Sequence, residues 1–168
     1  MSIILSWDEN PTCAAWSEQL LNSIQQHIIS LETGQPDNFI YGYSALSASN
    51  KLRFWAEFVI KIIAYESSFD PHCIYQEPYP LNELSVGLLQ LSYSNKNSYH
   101  LEEISEENKS LEDPLINIRC GMIILAYWLE KDGVVAQNSH GGARYWSVLR
   151  EEHHLEDIRI YVKEIVGL

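Results

Sequence analysis

The sequence predicts an all-α domain with at most one small β-hairpin, and three observations carry that expectation. Apolar residues recur at spacings of three and four along four separate segments, as they do on the buried stripe of a helix. Helix punctuation stands where those stripes begin and end, most plainly Asp113-Pro114 before one and Gly133 after it. Residues 72–86 lack a sustained period and carry Pro78 and Pro80, as expected of a loop or short hairpin.

The elements follow in order. Trp16, Leu20, Ile24, Ile28 and Leu31 mark a first amphipathic helix ending near Gly34. The loop "GQPDNFIYGYS" is rich in turn formers, with Phe39, Tyr41 and Tyr43 expected to pack back on the body. Ser47 or Ser49 caps a second helix whose stripe runs Leu52, Trp55, Val59, Ile62. "SSFDP" stops it, because the residue before Pro71 is pushed out of the helical region. "VGLLQLS" is apolar and too short for its state to be read, and "HLEEISEENKSLE" reads as an acidic surface segment. The third long helix carries Leu115, Ile118, Met122, Leu125 and Leu129 between its cap and Gly133. "GGARYWSVLR" is expected to start a short helix, and Leu155, Ile158, Val162 and Ile165 mark the last.

Composition narrows the function classes. With 46% hydrophobic and 11% aromatic residues, 168 residues suffice for one domain with a substantial core. No repeat or linker divides it. The formal charge of −12 argues against binding nucleic acid phosphates, which takes clustered Lys and Arg. No stretch approaches the roughly 20 apolar residues of a membrane span, and the opening "MSIILSWDENP" lacks the basic start of an export signal. A protein made in the cytoplasm is therefore expected. Cys13, Cys73 and Cys120 have no metal-ligand spacing and are expected as free, buried or half-buried thiols. His72, His100, His140, His153 and His154 show no paired ligand spacing either, and no cofactor is expected. Cys73 beside His72 is a poor nucleophile–base pair, since adjacent residues rarely orient that way.

One position breaks the pattern. A step of four beyond Ile62 lands on Glu66, a carboxylate where the stripe calls for a core side chain. Burial there raises the pKa, and the partial negative charge of a helix C-terminus pushes the same way. Both favour a protonated acid near neutral pH, able to donate to a leaving oxygen. Periodicity alone leaves a second reading open, a Glu whose tip escapes to solvent at a frayed helix end.

Three boxes around Glu66 resemble the soluble lytic transglycosylase and goose-type lysozyme superfamily. They are "ESSFDP" at 66–71, "GLLQ" at 87–90 and "NIRCG" at 117–121, in that order over about 65 residues. The resemblance spans roughly residues 52–150 and leaves 1–45 outside it. It implies a lysozyme-like fold: an N-terminal helical extension (1–45), a catalytic core (46–150) and a C-terminal helix (151–168). It implies cleavage of the β-1,4 bond between N-acetylmuramic acid and N-acetylglucosamine in peptidoglycan. Glu66 matches the catalytic acid, Ser85 and Gln90 match positions lining the sugar cleft, and Tyr145 roughly matches the tyrosine of an A-x-Y-N-A-G box. That box departs from the pattern, with Trp146 where Asn is usual. Ser85 stands for the usual Ala and Leu89 for the common Met. Tyr75, Tyr79, Tyr93, Tyr99 and Trp128 are candidate sugar-stacking faces or core residues.

Glycosidases usually employ two carboxylates, whereas lytic transglycosylases, by the same resemblance, use one: the muramoyl 6-hydroxyl attacks and leaves a 1,6-anhydro end. Glu66 alone favours that outcome. Glu77, eleven residues on, is a candidate second carboxylate or a solvated loop residue. Asp113 is better read as a helix cap and Asp70 as a turn residue. A lysozyme-like fold kept as a silent binding module is the non-enzymatic alternative. A monomeric wall-cutting enzyme without an export signal is expected to reach the periplasm by a carrier, such as a type VI secretion machine or a phage holin. An injected antibacterial effector implies a cognate immunity protein.

Overall fold

Asn10 opens the helical part of the chain, its side chain accepting from Thr12 N–H at 3.1 Å. A 3-10 turn, Pro11–Cys13, then leads directly into α1, Ala14–Glu32, in the computed structural model, which describes residues 3–168. Met1 and Ser2, the start of the stretch read for an export signal, lie outside the described residues. The remaining elements are α2 (Pro36–Phe39), α3 (Ala48–Ser67), β1 (Ile74–Gln76), β2 (Leu84–Val86), α4 (Asn95–Ser98), α5 (Pro114–Asp132), β3 (Ala136–Gln137), β4 (His140–Gly141) and α6 (Leu155–Ile165). β1–β2 and β3–β4 are two separate antiparallel pairs, with Tyr75 opposite Ser85 in the first. The architecture is all-α with small hairpins.

α3 is the central helix. Its sequence shows one apolar stripe, but Phe54 through Ile60 are buried without interruption, as are Ile62 and Ile63. A helix buried on nearly all sides sits inside its domain, and α1 and α6 both pack against it. Within that run Glu57 is fully buried. Its carboxylate accepts from Ser6 N–H (2.8 Å), Ser6 Oγ (2.7 Å) and Tyr161 OH (2.9 Å), which satisfies it and ties the N-terminal segment and α6 to α3. Along α5, α1 lays down Leu20, Ile24 and Leu31, all fully buried.

The caps fall where local chemistry puts them. Ser47 accepts from Asn50 N–H at the start of α3, and Asp113 from Leu115 and Ile116 N–H at the start of α5. Gly133 closes α5 in the left-handed conformation (φ 66°). The three cysteines are free.

Two details differ from expectation, Tyr41 and "GGARYWSVLR", and the structure fills in two more. Tyr41 does not pack back: it is 91% exposed beside the left-handed Gly42 (φ 98°), while Phe39, Ile40 and Tyr43 are buried. The acidic segment lies on the surface, with Glu102, Glu103, Glu106 and Glu107 exposed, and is pinned there by buried Leu101, Ile104 and Leu111. "GGARYWSVLR" forms two 3-10 turns, Gly142–Arg144 and Ser147–Leu149, instead of an α-helix. Between them Trp146 is extended and buried, its indole N–H donating to Leu89 O at 2.9 Å. In "VGLLQLS" Val86 ends β2, and residues 87–90 form a tight turn closed by mutual hydrogen bonds between Val86 and Leu91.

Candidate active site

Glu66 sits in the last turn of α3, and its position is fixed by its neighbour. Ser67 Oγ donates back to Ile63 O (3.1 Å) and across to Leu88 O (2.9 Å), so the helix end and the 87–90 turn form one unit. The chain leaves the helix through Ser68 and Phe69, both left-handed, and Asp70 accepts from His72 N–H (2.9 Å) as a turn residue.

The turn itself is built around Asn117 of α5, which is fully buried. Its amide donates to Val86 O and Leu111 O, both at 2.9 Å, and accepts from Leu89 N–H at 2.9 Å. Gly87 (φ 79°) lies so close that a Cβ there would come within 2.3 Å of both Asn117 Nδ2 and Leu111 O. One helical turn on, Gly121 lets Leu89 dock, since a Cβ would meet Leu89 Cδ1 at 2.2 Å. The three boxes of the sequence are thus one physical assembly: helix end, turn, and the helix that holds the turn.

Glu66, Glu77, Ser85, Gln90 and Tyr145, the five residues singled out from the sequence, line one cavity of about 560 Å³. Glu77 follows β1 and accepts from Ser85 Oγ across the hairpin at 2.7 Å. Gln90 spends its amide donors inward, on Cys73 O (3.0 Å) and Gly87 O (2.9 Å). Both amide protons are thereby engaged, which leaves its carbonyl oxygen as an acceptor rather than the donor-and-acceptor pair its composition offers. Tyr145 OH donates to Asn95 Oδ1 at 2.5 Å and accepts from Ser92 N–H at 3.3 Å. Of the candidate stacking aromatics only Tyr75 lines the cavity. Tyr79 is 92% exposed on the hairpin, while Tyr93, Tyr99 and Trp128 pack on the core, Trp128 Nε1 donating to Tyr99 OH.

Two lining residues, Glu83 and Asn95, carry no sequence signal of their own. Glu83 accepts from Ser92 Oγ and Ser94 Oγ, both at 2.9 Å, and Asn95 holds Tyr145. Among the described residues no Lys or Arg lines the cavity.

The electrostatics are one-sided. Burial, with the negative charge of Glu77 added, pushes the Glu66 carboxyl up to about 7. Burial also raises the Tyr145 phenol. The Cys73 thiol is held up by burial and by Asp70 and Glu66, the opposite of an activated nucleophile. His72 is turned to Glu112 instead, Nδ1 to Oε2 at 2.8 Å. Chemically the cavity offers a carboxyl protonated near neutral pH, a second carboxylate, and hydrogen-bonding oxygens around them. That set suits proton donation to a leaving oxygen with a developing cation nearby.

Residues 44–148 match the model of the Transglycosylase SLT domain. No curated protein is matched. Solved structures of Bd0314 DslA resemble the whole chain. Its wild-type form 2 superposes with a TM-score of 0.83 at 28% identity, covering 98% of this chain and 97% of that one. A Glu-to-Gln mutant of it gives 0.83 at 27% identity, covering 99% and 98%. A second Glu-to-Gln mutant gives 0.77 at 26%, covering 98% and 97%. The likeness therefore extends over α1 and α6, beyond the three boxes.

Proposed function

The chain belongs to the Transglycosylase SLT domain family, and on that premise we propose that it cleaves the β-1,4 bond between N-acetylmuramic acid and N-acetylglucosamine in peptidoglycan, with Glu66 as general acid. The observation that carries this reading is the half-buried Glu66 carboxyl in the cavity wall, held near pH 7 beside a second carboxylate. In its acid form Glu66 donates to the glycosidic oxygen as the bond to the anomeric carbon breaks. The resulting carboxylate then takes a proton from the nucleophile. Gln90 Oε1 and the Tyr145 oxygen accept from sugar hydroxyl or amide N–H groups.

The family supports the muramoyl 6-hydroxyl as nucleophile, giving anhydro ends. A second reading has its own observation: Glu77 lines the same cavity, oriented by Ser85. The glutamates exchanged in the two DslA mutants are also eleven positions apart, the spacing of Glu66 and Glu77. In that reading Glu77 holds a water against the anomeric carbon and the enzyme is a muramidase. Mass spectrometry of digested sacculi separates the two: anhydro-muramoyl ends mean transglycosylation, reducing ends mean hydrolysis, and intact sacculi would overturn both.

The place of action is the cell wall, where the substrate lies. As an antibacterial effector or lysis protein the chain would be harmless in the cytoplasm and lytic when directed to the periplasm. A cognate immunity protein would act most simply by covering the cleft around Glu66. Equal toxicity in both compartments would count against wall cleavage.

A further inference from the structure

The cleft presents oxygens, and most of its donors are spent on the protein. The Ser85 and Ser92 hydroxyls donate to Glu77 and Glu83, at 2.7 and 2.9 Å. Gln90 gives its amide protons to Cys73 O and Gly87 O, and Tyr145 gives its phenol proton to Asn95 Oδ1. The Trp146 indole N–H goes to Leu89 O. The donors that remain are neutral, since among the described residues no Lys or Arg lines the cavity. Glu83 is the lining carboxylate that the proposed reaction does not use. The Ser92 and Ser94 hydroxyls both donate to its Oε2, at 2.9 Å, which fixes the group in the wall. Its Oε1 has no protein donor among the described residues.

The substrate brings to this place one group whose charge varies. The muramoyl ring that loses its bond at the anomeric carbon carries a lactyl ether on the same ring. Wherever that ring lies for Glu66 to reach the glycosidic oxygen, the lactyl carbonyl is only a few bonds from the reacting carbon. It is therefore held in or at the mouth of the cavity that Glu66, Glu77 and Glu83 line. In a strand that bears stem peptides this carbonyl belongs to a neutral amide, whose N–H donates. In a strand stripped of its peptides it is a free carboxylate, which only accepts and is repelled by its own kind. We propose that the cavity selects muramoyl residues with an amidated lactyl group against those with a free lactyl carboxylate, and that Glu83 is a specificity-determining residue for this choice.

The selection works from both sides. An amide N–H meets oxygens that the protein leaves open, whereas a carboxylate finds no cation in the wall to offset its charge. Two like charges several Å apart near a protein surface weaken binding about tenfold. Glu77 adds to the repulsion from the hairpin, but it is tied to the reaction in the muramidase reading. Glu83 is free of that role and isolates the effect.

The inference deepens the proposed reaction and rests on its muramoyl substrate, but its test reads binding rather than turnover. Glu66→Gln, whose carboxamide leaves strands uncut, is titrated by calorimetry with two preparations of soluble glycan strands. Both are stripped of stem peptides by an amidase, and in one the lactyl carboxylates are then coupled to methylamine as neutral amides. The amidated strands should bind about tenfold more tightly at low salt. With Glu83→Gln added, the gap should shrink to about threefold. High salt should narrow it too, which a gap made by methyl contacts would not show. Equal affinity for the two preparations, or a gap unmoved by Glu83→Gln and by salt, overturns the inference. Binding of neither preparation, with sacculi left intact by the wild type, would sink the proposed substrate and the inference with it. Selective binding by a protein that leaves sacculi intact would sink the reaction alone and leave the selection standing.

Discussion

The Ser85 hydroxyl donates to Glu77 Oε1 at 2.7 Å across the β1–β2 hairpin, and this bond orients the second carboxylate of the cleft. The Ser85 hydroxyl therefore bears directly on Glu77. If Glu77 takes part in the reaction, Ser85→Ala should lower kcat about tenfold with little change in KM, in line with loss of one orienting bond in the transition state. Steady-state turnover of soluble glycan fragments checks this. An unchanged kcat would leave Glu77 a bystander.

The raised Glu66 pKa gives a pH dependence with a definite sign. Activity needs the acid form, so the alkaline limb of kcat/KM should lie near pH 7, where Glu66 ionises. The charge of Glu77 contributes to that elevation, so Glu77→Gln should move the limb to lower pH. A pH–rate profile of wild type and variant reads both. A limb that moves upward in Glu77→Gln would contradict the electrostatics.

The same shift appears in stability. The Glu66 carboxyl has an ordinary value of 4.5 and is raised to about 7 in the fold, so the folded state binds the proton more tightly. Below pH 4.5 both states are protonated and no penalty applies. As pH rises through 7 the fold must hold a charge it disfavours, and up to about 3 kcal/mol of stability is lost. Glu66→Gln removes that penalty. It should therefore be more stable than wild type at pH 8 and nearly equal at pH 4, as thermal unfolding at the two pH values will show.

Much of this was legible in local sequence signals. α5 could be bounded because Asp113, Pro114 and Gly133 act on their own helix ends, and Glu66 stood out because it breaks a stripe that is otherwise apolar. The rest depends on contacts between distant segments. The state of residues 87–91 was hidden because the turn is held by Asn117, on a helix that starts more than twenty residues later. Glu83 and Asn95 gave no warning because their roles come from Ser92, Ser94 and Tyr145 meeting in space. Glu57 was invisible for the same reason: its three donors lie on Ser6 and Tyr161.

Asn117 offers a test of the assembly itself. Asn117→Ala would strand Leu89 N–H and Leu111 O in a buried site and leave Val86 O with Leu91 N–H alone, at a cost of about 3–5 kcal/mol. Denaturant unfolding should show that loss. A change below about 1 kcal/mol would mean the turn finds other partners.

The most direct test of the central claim is the release of soluble fragments from purified sacculi by Glu66→Gln, with the fold verified by circular dichroism. The proposed role of Glu66 as general acid predicts a folded protein that releases almost nothing. Release at the wild-type rate would contradict it.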